Sequence, residues 1–184
     1  KIQQAGGKLP NILINELVNC RPNSEIYIMY GQTEATARLS CLPHQRLKEK
    51  MGSIGKGLPG VPLKVLNEQG LEVQPGEIGE IIARGENISP GYLNEPEATQ
   101  EKFKNGSLYT GDLATIDQDG FIYIVDRKDD FIKSYGYRVS SQDVESCVLE
   151  LSEVVAVAAI GAPDLVKGEA IIAFVMVKPA AVLM

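Results

Sequence analysis

Apolar residues in the early part of the chain recur at helical spacing. Ile12, Leu13, Leu17 and Cys20, with Glu16 among them, follow Pro10, a residue suited to a helix's first turn, so the pattern predicts an amphipathic helix over residues 10–19. Arg21-Pro22-Asn23 supplies the turn that ends it. Residues 25–30, with Ile26, Tyr27, Ile28 and Met29, form an apolar run long enough for a buried strand and too short for a helix. This opening piece is α/β in character.

From Gly52 the texture changes. Gly and Pro turns at residues 57–60, 67–70, 75–76 and 117–120 separate short β-rich runs at residues 63–66, 78–84 and 121–125. The spacing predicts a small antiparallel sheet or barrel, interrupted by one helix that starts at Pro96 and carries Ala98 and Phe103. After a charged junction at residues 126–130 the pattern shifts again, to a helix over residues 141–151 and strands at 154–160 and 170–177. A serine cap with Asp143 and Glu145 in the first turn suits that helix's dipole. The fold class expected is mixed α/β and α+β: the end of an α/β region at residues 1–50, a barrel-like antiparallel β subdomain at 51–127, and an incomplete α+β domain at 128–184.

Composition narrows the functions. The 184 residues are 44% hydrophobic and 23% charged, an ordinary globular balance that excludes a disordered or collagen-like chain. The net charge is −6, Trp is absent and no Lys/Arg cluster occurs, so the electrostatic footprint of a nucleic-acid partner is missing. No apolar stretch reaches the roughly 18 to 20 residues that span a bilayer, and the N-terminus lacks the layout of a secretion signal. Cys20, Cys41 and Cys147 are odd in number and scattered, which suits buried free thiols in a reducing, cytoplasmic setting. The start at Lys1 and the stop at Met184 behind a hydrophobic run suggest a fragment.

Two short stretches offer chemistry. Tyr30-Gly31-Gln32-Thr33-Glu34 lies just past the predicted strand, at the carboxyl end where open α/β sheets place ligands. Gly31 allows a sharp turn, Tyr30 offers a flat face for a base, Thr33 a hydroxyl for phosphate oxygens, and Glu34 a hard oxygen for Mg²⁺. A plain turn is the competing reading. In Tyr109-Thr110-Gly111-Asp112, a carboxylate beside a glycine turn can accept two charge-assisted hydrogen bonds from vicinal ribose hydroxyls, or it can simply cap its own turn. Gly55-Lys56-Gly57-Leu58-Pro59-Gly60 matches a dinucleotide fingerprint in letters only, since Pro59 and the glycines make a connection and no helix follows. The single His44 has no nucleophile motif, and no Cys/His pair has zinc spacing.

These two motifs occur in order with a third, Asp126-Arg127-Lys128-Asp129-Asp130-Phe131-Ile132-Lys133-Ser134-Tyr135-Gly136-Tyr137-Arg138. Together they resemble the adenylate-forming superfamily of acyl-CoA synthetases, peptide-synthetase adenylation domains and luciferases. The segments 52–60, 76–80 and Pro90-Gly91-Tyr92 also look like that family's connectors. The resemblance implies a two-step ligase: a carboxylic acid attacks the α-phosphorus of ATP to give acyl-AMP and pyrophosphate, and a thiol, that of CoA, then displaces AMP.

Carried over by motif, Tyr30 would stack on adenine with Gly31 beside it, Thr33 would contact the α-phosphate, and Glu34 would hold Mg²⁺. Asp112 would grip the ribose, Arg127 would assist it, and Asp129 would be the hinge of a rotating C-terminal domain. The segment from Lys133 to Arg138 would face the site during thioester formation, and Lys133 is its catalytic candidate. The family's phosphate loop would precede Lys1 and its adenylation lysine would follow Met184, so the chain by itself is expected to be inactive. Asp126-Arg127-Lys128-Asp129 resembles acyl-CoA ligases, whereas Gly136-Tyr137-Arg138 tilts toward domains that load a carrier protein. A noncatalytic nucleotide- or protein-binding module with degenerate motifs is the reading from a different class.

Overall fold

The computed structural model describes residues 1–7, 9–128 and 131–179, and it divides into two units, Lys1–Ile124 and Val125–Met184, each with its own sheet structure. The architecture is mixed α/β, as the hydrophobic pattern predicts.

The first unit opens with β1 (Ile2–Gln4), α1 (Asn11–Cys20) and β2 (Ile26–Tyr30). The two strands pair in parallel, Ile2 opposite Ile26, with the helix as crossover. β1 is too short to show a period in the sequence. Pro10 stands at the N-cap rather than inside the helix, and its carbonyl accepts the Leu13 and Ile14 amides. The buried stripe also differs from the one expected. Ile14 is the buried residue and Leu17 and Val18 pack beside it, whereas Ile12, Leu13 and Cys20 face outward. Burying Ile14 contributes roughly 2 kcal/mol. Ile26, Ile28, Leu42, Leu47 and Phe121 complete this cluster.

Two antiparallel neighbours, β3 (Ser40–Leu42) and β4 (Lys56–Gly57), extend the sheet beyond β2. The β-rich part follows: β5 (Leu63–Leu66), β6 (Gly79–Arg84), α2 (Pro96–Lys102), β7 (Phe103–Lys104), β8 (Ser107–Ile116) and β9 (Ile122–Arg127). These strands form an antiparallel sheet in the order β5-β6-β8-β7, and β9 also pairs with β8. Phe103 begins a strand instead of ending the helix.

The largest difference from expectation is β8. Read from its glycine, residues 109–112 suggest a turn, yet they lie inside a ten-residue strand. Its register against β6 slips between Glu80 and Ile82, which face Leu113 and Tyr109, so the strand bulges around Gly111. Gly111 has φ of 76°, a left-handed conformation that glycine adopts without steric cost.

In the second unit, β10 (Ile132–Ser134) and β11 (Tyr137–Val139) form a hairpin closed by Tyr135-Gly136, both at positive φ. That is the two-residue turn whose twist matches paired strands. Then come α3 (Ser141–Val148), β12 (Val154–Asp164) and β13 (Gly168–Val177), in a sheet ordered β11-β10-β13-β12. Ser140 caps α3, its hydroxyl accepting the Asp143 amide at 3.2 Å. The helix ends at Val148, three residues short of the predicted span.

Cys20 and Cys147 are exposed and Cys41 is half-buried, so the expectation of buried thiols is wrong. No helix among the described residues is long and apolar enough to cross a membrane.

Candidate active site

β2 delivers the chain to Tyr30, where the backbone folds back on itself. Thr33–Ala35 form a single 3-10 turn, Thr36 and Ala37 both take positive φ (49° and 74°), and the chain returns as β3. The Gln32 carbonyl accepts the Ala35 and Ala37 amides, and the Tyr30 carbonyl accepts that of Leu39. Two consecutive non-glycine residues in the left-handed region cost about 1–2 kcal/mol each. The surrounding hydrogen bonds hold that strain at the tip. Gly31 is needed for closeness, not for its φ: a Cβ there would lie 2.1 Å from the Ala37 carbonyl oxygen. Ala35 and Leu39 anchor the loop in the core.

Across from this loop stands the β8 bulge. The buried positions of β8 alternate as Leu108, Thr110, Asp112 and Ala114, so Asp112 occupies a core-facing position and is 4% exposed. A buried carboxylate needs hydrogen-bond donors. The Tyr30 hydroxyl donates to Asp112 Oδ2 at 2.6 Å, and Gln32 Nε2 donates to the same oxygen at 2.8 Å. Gln32 Nε2 also donates to the Thr110 carbonyl at 2.9 Å, and Glu80 accepts the Gly111 amide at 3.0 Å. Thr110 Oγ1 donates to the Ile81 carbonyl and accepts the Asp112 amide. The bulge is thus tied to the β2 loop on one side and to β6 on the other.

Glu34 sits on the same 3-10 turn as Thr33, which is exposed. The Glu34 carbonyl accepts the Ser89 amide at 2.7 Å, and its carboxylate accepts the Tyr92 hydroxyl at 2.5 Å. Burial, and then the hydrogen bond to Glu34, push the Tyr92 phenol up to about 12. Tyr92 also borders an open depression of about 600 Å³ lined by residues 90–96, Thr99 and Gln100.

The remaining predicted site residues belong to the second unit. Arg127 and Lys133 are exposed, and Lys133 lies on β10 with its amide donating to Glu169 Oε2. Asp126 is fully buried and accepts the Arg127 and Ser141 amides, joining the junction to the start of α3. Asp129, the predicted hinge, lies outside the described residues.

The structure therefore brings Tyr30 and Asp112 into direct contact and sets Glu34 on the adjoining turn. Sequence reasoning gave no role to Gln32 and treated Tyr92 as a connector. A readable signal did exist for Asp112: the alternation Leu108, Thr110, Asp112, Ala114 puts a charge where the strand's period calls for a core residue.

Comparison with known proteins identifies the family. The AMP-binding enzyme family model matches residues 2–93, and the model for the AMP-binding enzyme C-terminal domain matches residues 143–183. The long-chain-fatty-acid–CoA ligase of Salmonella typhimurium is 39% identical over 178 residues, 95% of this chain and 31% of that protein. Among solved structures, o-succinylbenzoate CoA synthetase from Bacillus subtilis in complex with its acyl-adenylate intermediate superposes with a TM-score of 0.87 at 34% identity. The match covers 98% of this chain and 37% of that one. The same synthetase with ATP and magnesium ion gives 0.85, with the same identity and coverage. The chain spans about a third of the length of the relatives it matches. Matches to both family models and relatives at 39% identity lead to one conclusion: the chain belongs to the AMP-binding enzyme family.

Proposed function

We propose that this chain is part of an AMP-forming acyl-CoA ligase, which activates a carboxylic acid as its acyl-adenylate and transfers the acyl group to the thiol of CoA. The observation that carries the reading is the Tyr30–Gln32–Asp112 cluster, which ties the turn after β2 to a buried carboxylate. With Tyr30 as the platform for adenine and Asp112 as the acceptor for the ribose hydroxyls, the hydrogen bond between them makes base and sugar recognition one rigid unit. Gly31 lets the returning backbone pack close beside that platform. Exposed Thr33 presents its hydroxyl to the α-phosphate.

Magnesium fits Glu34. The Glu34 carboxylate, on the 3-10 turn after β2, offers hard oxygens of the kind Mg²⁺ takes, and an ion held there would draw its other ligands from ATP phosphates and water. Mg²⁺ is bound that way in many nucleotide sites, where it neutralises phosphate charge. By the motif resemblance, Arg127 would assist at the ribose and Lys133 would serve thioester formation. Catalysis of this kind draws on positioning and charge neutralisation, which hydrogen-bonded, pre-set side chains provide.

The test is pyrophosphate release by the full-length protein with ATP and a panel of carboxylic acids that begins with long-chain fatty acids, with and without CoA. Acid-dependent release of pyrophosphate and AMP, with thioester formed only when CoA is present, supports the reading. Release of ADP and phosphate instead refutes it, and acylation of a phosphopantetheinylated carrier in preference to CoA replaces the thiol acceptor.

A further inference from the structure

Tyr92 reaches Glu34 from 58 positions away in the sequence, and the segment that carries it is braced. The Tyr92 amide donates to Thr99 Oγ1 at 2.9 Å on α2, and the Tyr92 ring meets Phe103 edge-on with centroids 5.4 Å apart. Gly91, at φ 150°, packs so closely against Thr99 that a Cβ would lie 2.5 Å from its Cγ2. Three residues before Tyr92, the Ser89 amide donates to the Glu34 carbonyl. Residues 89–92 therefore grip Glu34 at both its backbone and its carboxylate, and α2 holds the grip in place.

We propose that Tyr92 is a positioning residue for the metal-holding carboxylate. Its hydroxyl fixes the Glu34 rotamer and occupies one lone pair, so that the carboxylate meets Mg²⁺ in a single orientation. Partners that orient a metal's ligands contribute strongly to affinity, and their loss commonly weakens binding about tenfold or more. The inference rests on the assignment of Glu34 to magnesium.

Manganese binding to the full-length protein with α,β-methylene-ATP, read by electron paramagnetic resonance, tests it. Tyr92→Phe keeps the ring and its contact with Phe103. It is expected to weaken Mn²⁺ about tenfold while affinity for the metal-free nucleotide in EDTA stays within about twofold. In a Glu34→Gln background the Tyr92→Phe change should add nothing. Phe103→Leu, which loosens the ring's support from farther away, should weaken Mn²⁺ by a smaller factor. Unchanged Mn²⁺ affinity in Tyr92→Phe, equal loss of metal and metal-free nucleotide, or full additivity with Glu34→Gln overturns the proposal. If Glu34→Gln alone leaves Mn²⁺ binding intact, the assignment of Glu34 fails and the inference falls with it. That result is distinct from one in which Glu34→Gln acts and Tyr92→Phe does not.

Discussion

A carboxylate on the buried face of a strand is costly unless donors surround it, and Asp112 has two on a single oxygen. That arrangement separates what the sequence can and cannot show. Tyr30, Glu34 and Asp112 are legible because each lies in a short motif with its own chemistry. Gln32 and Tyr92 are not, because their importance lies in partners 80 and 58 positions away, which only the fold brings near. Gln32 should matter to nucleotide binding without touching phosphate. Gln32→Met keeps the side-chain length and removes both hydrogen bonds. Equilibrium titration of the full-length protein should show ATP binding weakened about tenfold. With 2′,3′-dideoxy-ATP, which lacks the hydroxyls that Asp112 would grip, wild type and variant should differ by less than about threefold, and an equal loss for both nucleotides would deny Gln32 this role.

At the scale of elements, helical spacing marks α1, and short apolar runs bounded by turns mark β2, β5 and β6, each to within a residue or so. The pattern fails at β8, where a glycine inside a bulge mimics a turn, and at β1, β3 and β4, which are two or three residues long. A polar clasp was also beyond its reach. Lys50, 9% exposed, bonds to Asp117 at 2.9 Å and to Asp119 at 2.5 Å, fixing the turn between β8 and β9. Lys50, Arg46 and Lys56 also stand 4.8 to 5.1 Å from the Phe121 ring centre.

The hydrogen bond from Lys50 holds Asp119 below its ordinary 3.8. For Asp117 burial opposes ionisation, but Lys50 and the Phe121 amide outweigh it and its value is lowered as well. Depressed carboxylates stabilise the fold above their unfolded values and lose that contribution as the pH falls through the folded ones. Lys50→Met should therefore lower stability at neutral pH, and its gap from wild type in urea unfolding should narrow from about pH 5 to about pH 2. A gap constant across that range would contradict the clasp.

The chain divides into two units, and among the described residues the first carries two sheets and the second one; both family models match it. Three ordered motifs were enough to place it in that family, since each motif is weak alone and their order is hard to reach by chance. What the motifs do not contain is the physical link between the first two: the Tyr30 hydroxyl, the Gln32 amide and the Asp112 carboxylate joined in one hydrogen-bonded cluster. The central claim is that this cluster is a nucleotide site, and equilibrium binding of MgATP to the full-length protein and to Asp112→Ala tests it most directly, with the unfolding midpoint followed alongside. Loss of two charge-assisted hydrogen bonds should weaken binding about a hundredfold in the variant while it remains folded. MgATP affinity in folded Asp112→Ala within about threefold of wild type would contradict it.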